Sequence, residues 1–172
     1  AELGRNAIYA AADVIDAVRR LHKELAKIPQ EYLGSPSIHV TQIQGGSKVN
    51  VVPDKAVVRI DSRLVFGEDR LSCAGQLAQI FEKIQKKSGC DCLLEVTTYC
   101  PPGKTDVREP ALRAISNLLE EKGVDNTPRA FEASCEAGML QEKLGCPVVI
   151  WGPGSMEQAH RIDEFIELEQ LY

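Results

Sequence analysis

Residues 55–65 read KAVVRIDSRLV, and in this run apolar and polar side chains alternate. Alternation with a period of two is typical of a β-strand with one packed face and one solvated face. The solvated face would hold the charged residues of the run, and the packed face would hold Ala56, Val58, Ile60, Ser62 and Leu64. This strand is the clearest element from which the rest of the chain can be assigned.

Amphipathic helices are predicted on both sides of this strand. Apolar residues recur at three- and four-residue steps from Ala7 to Leu25, which indicates a helix of about six turns. A second helix is predicted from about Arg70 to Lys87, and weaker patterns predict strands at 38–44 and 92–99. The resulting order is helix, strand, strand, helix, strand, which is a ferredoxin-like βαββαβ order without its first strand. Because that strand would lie inside the sheet, either another segment supplies it or this chain is a piece of something longer.

A rigid Pro101-Pro102-Gly103 segment predicts a domain boundary, with one domain at 1–100 and another at 105–172. Beyond the boundary the pattern predicts a helix from Pro110, a strand at 129–133, a helix at 135–144 capped by Ser134, and an apolar strand at 147–151. Alternating helices and strands favour a parallel sheet. Two strands in about 70 residues are too few for an independent domain. The fold class is therefore α/β in the broad sense, or α+β.

Composition restricts the classes of protein to which this chain can belong. Of 172 residues, 44% are hydrophobic and 26% are charged, and the net charge is −5. No apolar run approaches the ~20 residues that cross a bilayer, and no basic block is interleaved with aromatic residues. Nucleic acid and membranes are therefore not expected partners. The six cysteines form no Cys-x-x-Cys pair, and residues 1–30 have no signal-peptide layout, so we expect free thiols in the cytoplasm and no thiol-redox function.

Residues 147–164 read PVVIWGPGSMEQAHRIDE and contain the strongest candidate for a functional residue. An apolar strand leads into a glycine loop, and His160 follows six residues after Gly154. Ligands of open α/β sheets bind outside the carboxyl ends of the strands, which is where this histidine would lie. The simpler alternative is a histidine of the surface or the core with no functional role.

Four motifs resemble those of the M20 metallopeptidase/deacylase family and occur in the same order. Their sequences are most similar to those of acetylornithine deacetylases. They are Gly4-Arg5-Asn6-Ala7-Ile8; Asn50-Val51-Val52-Pro53 with Asp61-Ser62-Arg63; Ser134-Cys135-Glu136-Ala137; and the glycine loop with Ala159-His160 and Asp163-Glu164. The resemblance covers residues 4–164. It implies a ferredoxin-like lid or dimerisation domain at 1–100, followed by the carboxyl-terminal portion of a zinc-exopeptidase-like α/β catalytic domain.

The resemblance also implies roles for single residues. His160 resembles the last zinc ligand of a two-metal site, and Arg63 resembles the lid arginine that binds the substrate carboxylate. Asn50 and Glu136 resemble residues near the substrate, and Gly152, Gly154 and Ser155 resemble a loop that offers backbone donors to it. Simpler explanations stay open: an ion pair of Arg63 with Asp61 or Glu68, a turn at Asn50, a helix terminus at Glu136, and a plain turn at 152–155.

The function implied is that of a zinc-dependent amidohydrolase that removes an N-acyl group from an amino acid, as acetylornithine deacetylases do. An aminoacylase, a succinyl-diaminopimelate desuccinylase or a dipeptidase is compatible, and the substrate would be an N-acyl amino acid or a dipeptide. The other metal ligands and the general base of the family pattern are absent, and one imidazole cannot hold a zinc ion that needs three or four protein donors. We therefore expect no catalytic residue and no activity in this chain alone. The alternative of another class is a non-catalytic module that forms a homodimer through the lid.

Overall fold

The computed structural model describes residues 4–30 and 32–171. Its elements are helix α1 (Ala7–Leu25), strand β1 (Ser37–Gly45), strand β2 (Ala56–Arg63), helix α2 (Arg70–Ser88), helix α3 (Pro110–Glu121), helix α4 (Ala137–Leu144) and a 3₁₀ turn (Leu168–Gln170). Helices combined with a small antiparallel sheet make the fold α+β, so the predicted class is confirmed. No helix in the described ranges is long and apolar enough to cross a membrane.

Strands β1 and β2 pair in antiparallel orientation, and one extra residue interrupts their register. The register shifts after Val40, so that Thr41 forms a β-bulge in β1. Beyond the bulge Ile43 lies opposite Val58, while Val40 lies opposite Ile60. Apolar residues three positions apart in β1 therefore meet the same face of β2. The bulge explains why the alternation in residues 38–44 is weaker than the alternation in residues 55–65.

Both long helices begin at a side-chain cap. The Asn6 Oδ1 atom accepts hydrogen bonds from the backbone N–H groups of Ile8 at 2.9 Å and Tyr9 at 3.3 Å. At the start of α2, the Asp69 Oδ1 atom accepts from the N–H of Ser72 at 2.7 Å. These oxygens satisfy N–H groups that have no partner within a helix. Helix α2 ends at Gly89, whose φ of 69° is the left-handed conformation that glycine adopts without strain.

The hydrophobic core lies between α1, α2 and one face of the sheet. Helix α1 packs against both strands and against α2. The buried cluster consists of Ala10, Val14, Val18, Leu25, Ile38, Leu77 and Ile84. Cys90, Cys92 and Leu94, from the segment that follows α2, pack against it partly buried. Every described residue of the buried hydrophobic core therefore precedes the Pro101-Pro102-Gly103 segment.

Three predicted strands are wrong: residues 92–99, 129–133 and 147–151 form no strand in the described structure. A strand requires a neighbouring backbone that completes its ladder of hydrogen bonds. Side chains take that place here, since Gln85 accepts from the N–H of Cys92 at 3.2 Å. The Thr105 hydroxyl donates to the Val148 carbonyl at 2.6 Å and accepts from the Val148 N–H at 3.1 Å. The predicted parallel sheet is therefore not formed by these segments.

Residues beyond the Pro101-Pro102-Gly103 segment pack less tightly than those before it. Among the described residues after 100, Gly138 alone is buried. A Cβ atom placed on Gly138 would overlap the carbonyl oxygen of Pro101, so this helix position needs glycine. The Gln141 side chain adds bonds to both the N–H and the carbonyl of Lys104, at 2.8 and 2.7 Å. Helix α4 is thus attached to residues 101–104, while the predicted domain boundary there stays a prediction.

Candidate functional site

Arg63 is the last residue of β2, and its guanidinium joins two segments that are distant in sequence. Its Nε donates to Asp61 Oδ2 at 2.8 Å, and its Nη1 donates to Ser134 Oγ at 2.9 Å. The predicted alternative of an Arg63–Asp61 ion pair is therefore present, whereas Glu68 instead accepts from the N–H of Val65 at 3.1 Å. The Arg63 side chain remains 56% exposed, so it keeps donors that a ligand can reach.

Ser134, the partner of Arg63, is the first residue of the motif Ser134-Cys135-Glu136-Ala137. Ser134 directly precedes Cys135 and Glu136. It was predicted to cap α4, but that prediction is wrong: the N-cap residue is Glu136, and α4 begins at Ala137 without a side-chain cap. The Ser134 hydroxyl faces the guanidinium instead. Sequence reasoning missed this contact because 71 positions separate the two residues and no local pattern records such a pairing.

A wide open cleft of about 2870 Å³ lies beside Arg63 and Ser134. Its walls come from β2, α2, the segment at 90–107, residues 125–138 and the stretch from Val148 to Trp151. Pockets for small molecules usually have volumes of ~300–1,000 Å³. The cleft is therefore larger than a usual small-molecule pocket.

The other predicted substrate residues are exposed. Asn50 is in the turn between β1 and β2, and Glu136 is at the amino-terminal end of α4. The Gly154 N–H donates to Gln170 Oε1 at 2.8 Å, and the Ser155 hydroxyl accepts from the Glu157 N–H at 3.2 Å. In the described structure, no hydrogen bond or ion pair joins Asn50, Glu136 or residues 152–155 to Arg63.

His160 is exposed and has an uncommon backbone conformation. Its φ is 63°, in the left-handed region, and Asp163 has a φ of 61°. Such angles are uncommon for residues other than glycine and occur often at functional sites. The His160 N–H donates to Glu164 Oε2 at 3.2 Å. The backbone therefore turns sharply at His160 and again at Asp163.

No three His, Cys, Asp or Glu side chains in the described parts of the chain are grouped so that they could hold a metal ion. A structural zinc site uses four protein donors, and a catalytic one uses about three. His160 has one imidazole and a neighbouring carboxylate that is already bonded to its backbone. The residues that the structure describes therefore do not fit a complete zinc site by themselves.

Two groups near the cleft have shifted pKa values with clear causes. Hydrogen bonds from the Arg108 side chain and backbone hold the pKa of the Asp106 carboxyl far below its usual range. Burial raises the pKa of the Cys92 thiol, and the neighbouring Cys90 and Asp91 add to the shift. A raised pKa leaves less thiolate at neutral pH, and thiolate is the reactive form of cysteine.

Comparison with known proteins gives a consistent set of similarities. The peptidase dimerisation domain of M20 type matches residues 1–89. An uncharacterised metallohydrolase of Methanocaldococcus jannaschii is 29% identical over 174 residues, which cover 98% of this chain and 45% of that protein. The acetylornithine deacetylase of Vibrio cholerae is 26% identical over 97% of this chain and 43% of its own length, and that of Vibrio vulnificus is 27% identical with the same coverage. The chain thus spans less than half the length of these relatives.

Proposed function

This chain belongs to the M20 family through its peptidase dimerisation domain, and from that premise we propose that it is part of a zinc-dependent amidohydrolase that removes an N-acyl group from an amino acid. The observation behind the proposal is the extent of the similarity. Proteins named acetylornithine deacetylase match 97% of the chain, well beyond the dimerisation domain at 1–89. Acetylornithine is therefore the first substrate to test, followed by other N-acyl amino acids, succinyl-diaminopimelate and dipeptides.

Arg63 is the residue that we propose for the carboxylate of the substrate. Its guanidinium lies beside the open cleft and is held by Asp61 and Ser134. A guanidinium has five N–H donors in a planar fork, and two of them are used in these contacts. The remaining donors suit a bidentate bond to a carboxylate. Asn50, Glu136, Gly152, Gly154 and Ser155 are proposed as further substrate contacts.

His160 is proposed as one zinc ligand. Because the described residues offer no group of three donors, two zinc ions would need further ligands from outside the described residues. The large cleft beside Arg63 supports this proposal, because it leaves room for additional polypeptide. This chain alone would then have no catalytic residue and no activity. Zinc, a homodimer formed through the dimerisation domain and a cytoplasmic location are parts of the same proposal.

An activity assay on two proteins tests the proposal. One is this chain, and the other is a longer protein in which the preceding half of an M20 relative is joined to it. We expect acetate release from acetylornithine only with the longer protein and zinc. An Arg63→Gln variant of the longer protein should raise KM more than tenfold, and Arg63→Lys should raise it less. If no N-acyl amino acid or dipeptide is hydrolysed by either protein, the proposed enzyme function is wrong.

The second candidate function is a non-catalytic dimerisation module. The matched family is a dimerisation domain, and the described part of the chain has no group of three metal-binding side chains. Analytical ultracentrifugation with and without the joined half distinguishes the two functions. A dimer that forms equally well in both proteins, with no hydrolysis in either, would favour the module.

A further inference from the structure

The guanidinium of Arg63 is held from two sides by side chains that belong to different parts of the chain. Asp61 lies two positions before Arg63 on β2, so both side chains project from the same face of the strand. Asp61 accepts from Nε at 2.8 Å, and Ser134 accepts from Nη1 at 2.9 Å. Bonds to two different nitrogens restrict both the position and the rotation of this planar group. The Arg63 side chain is therefore restricted even though it is 56% exposed.

The position of Ser134 follows from the attachment of α4, which begins three residues later. A Cβ atom on Gly138 would overlap the backbone of residues 101–104, so the helix and this segment lie in close contact. Gln141 bonds the same segment through two hydrogen bonds of 2.8 and 2.7 Å. These contacts fix the helix and, with it, the residues directly before it. Ser134 therefore reaches Arg63 because α4 is attached to residues 101–104.

We propose that Ser134 is a positioning residue, which orders the Arg63 guanidinium for the carboxylate of the substrate. This inference rests on the proposed function, in which Arg63 binds that carboxylate. An arginine side chain loses many rotamers when its guanidinium becomes fixed, and this loss opposes binding unless the group is ordered beforehand. The Ser134 bond supplies that order before a ligand arrives. A carboxylate then meets a restrained guanidinium beside the cleft, with donors still available.

Ser134 acts on the geometry of the site without changing its charge. Asp61 contributes a negative charge, so its removal would alter the orientation of the guanidinium and the electrostatic potential together. Serine is uncharged, and Ser134 is exposed. Substitutions of exposed residues usually change stability little, so Ser134→Ala should leave the chain folded. This variant therefore isolates the orientation of Arg63.

Arg59 provides a comparison on the same strand. It lies on the same face of β2 as Arg63 and is exposed, and it forms no ion pair with any residue that the structure describes. Relaxation of ¹⁵N in arginine Nε–H groups measures their motion on the picosecond-to-nanosecond timescale. In the whole chain we expect a higher order parameter for Arg63 than for Arg59. Ser134→Ala should lower the Arg63 value toward that of Arg59, and lysine substitutions of the two arginines assign their signals.

Titration with N-acetylglycine tests whether this order affects carboxylate binding, and N-acetylglycinamide is the uncharged control. We expect the Arg63 signal of the whole chain to shift with the acid and not with the amide. Ser134→Ala should weaken binding of the acid about two- to tenfold, as expected when one long side chain must be ordered on binding. Ser134→Thr keeps a hydroxyl and should restore binding. Ser72→Ala removes an exposed serine of α2 and should leave binding unchanged.

The outcomes distinguish failure of this inference from failure of the proposed function. The positioning role is overturned if Arg63 is no more ordered than Arg59. It is also overturned if Ser134→Ala, folded by circular dichroism, binds N-acetylglycine as tightly as the wild type, although Arg63 would then keep its proposed role. If the wild-type Arg63 signal does not respond to N-acetylglycine, both roles are overturned. Hydrolysis of N-acyl amino acids by the longer protein tests the enzyme function separately.

Discussion

Asn6 shows how a residue of a family motif can have a structural role. It belongs to the motif Gly4-Arg5-Asn6-Ala7-Ile8, and the structure supplies the physical reason for its presence there. The Asn6 side chain accepts from two N–H groups at the start of α1, and asparagine is among the best residues at this position. By contrast, the pairing of Arg63 with Ser134 could not be predicted, because it depends on how distant segments meet.

We expect Asn6→Ala to destabilise the folded chain by about 1 kcal/mol, because both capping bonds are lost. Asn6→Asp keeps an oxygen at the same position and adds a negative charge at the amino-terminal end of the helix, so its stability should stay near that of the wild type. Urea denaturation of the three proteins measures the difference. Equal destabilisation by alanine and aspartate would contradict the capping role.

Gly138 allows a prediction whose sign depends on packing. Helix propensity alone favours alanine over glycine by about 1 kcal/mol, but a Cβ atom here would overlap the carbonyl oxygen of Pro101. We therefore expect Gly138→Ala to lower stability by about 1–3 kcal/mol. A Cβ atom on Gly75, within α2, would meet no neighbouring atom within 4 Å, so Gly75→Ala should raise stability by about 0.5–1 kcal/mol. Thermal unfolding of both variants measures the two signs.

Asp106 should stay ionised in the folded chain at pH values at which ordinary aspartates are protonated, because bonds from Arg108 lower its pKa. The folded-state pKa is below the unfolded one, so this contribution to stability is present above the unfolded pKa and is lost as pH falls through the folded one. Arg108→Gln removes the side-chain bonds but keeps the backbone N–H that donates to Asp106, so the pKa should rise part of the way toward its usual value, as measured by carboxyl ¹³C NMR. The control is Asp125, whose lowered pKa comes first from Thr127 and last from Arg129, so Arg129→Gln should change it little.

At the level of elements, the hydrophobic periodicity correctly predicted the two helices and two strands that pack around the buried core. Helices α1 and α2 and strands β1 and β2 match their predicted ranges within a few residues. The segments at 92–99, 129–133 and 147–151 have strand-like composition but lack a pairing strand in the described structure. Composition reports what a strand would bury, whereas a strand exists only when a second backbone bonds to it.

Strand β1 offers a matched test of burial on one face. Ile38 is 1% exposed and Ile43 is 49% exposed. Ile38→Ala should lower the free energy of unfolding by about 2–5 kcal/mol, as is usual for a fully buried aliphatic side chain. Ile43→Ala should lower it by less than about 1 kcal/mol. If urea denaturation gave similar losses for the two variants, the Ile43 side chain would also be buried in solution.

For the whole molecule, the buried hydrophobic core of the described residues ends at Ile84, and partly buried residues extend it to Leu94. Stability within a protein follows the density of buried contacts, so sparsely packed segments open first. We expect limited proteolysis with trypsin to cut beyond Pro101 first, at sites such as Lys104, and to leave a resistant fragment with α1, α2 and the sheet. Mass spectrometry identifies the fragments. Early cuts within α1 or β2 would contradict this order.

The bond from the Arg5 guanidinium to the carbonyl of Gly89 connects the beginning of α1 with the end of α2. The segment that contains the sheet and both long helices therefore starts and finishes at nearly the same point in space. A unit with adjacent ends can be inserted into a surface loop of another protein without moving the two ends of that loop apart. Residues 5–89 thus have the geometry of an insertable domain, which evolution could add, remove or exchange as one unit.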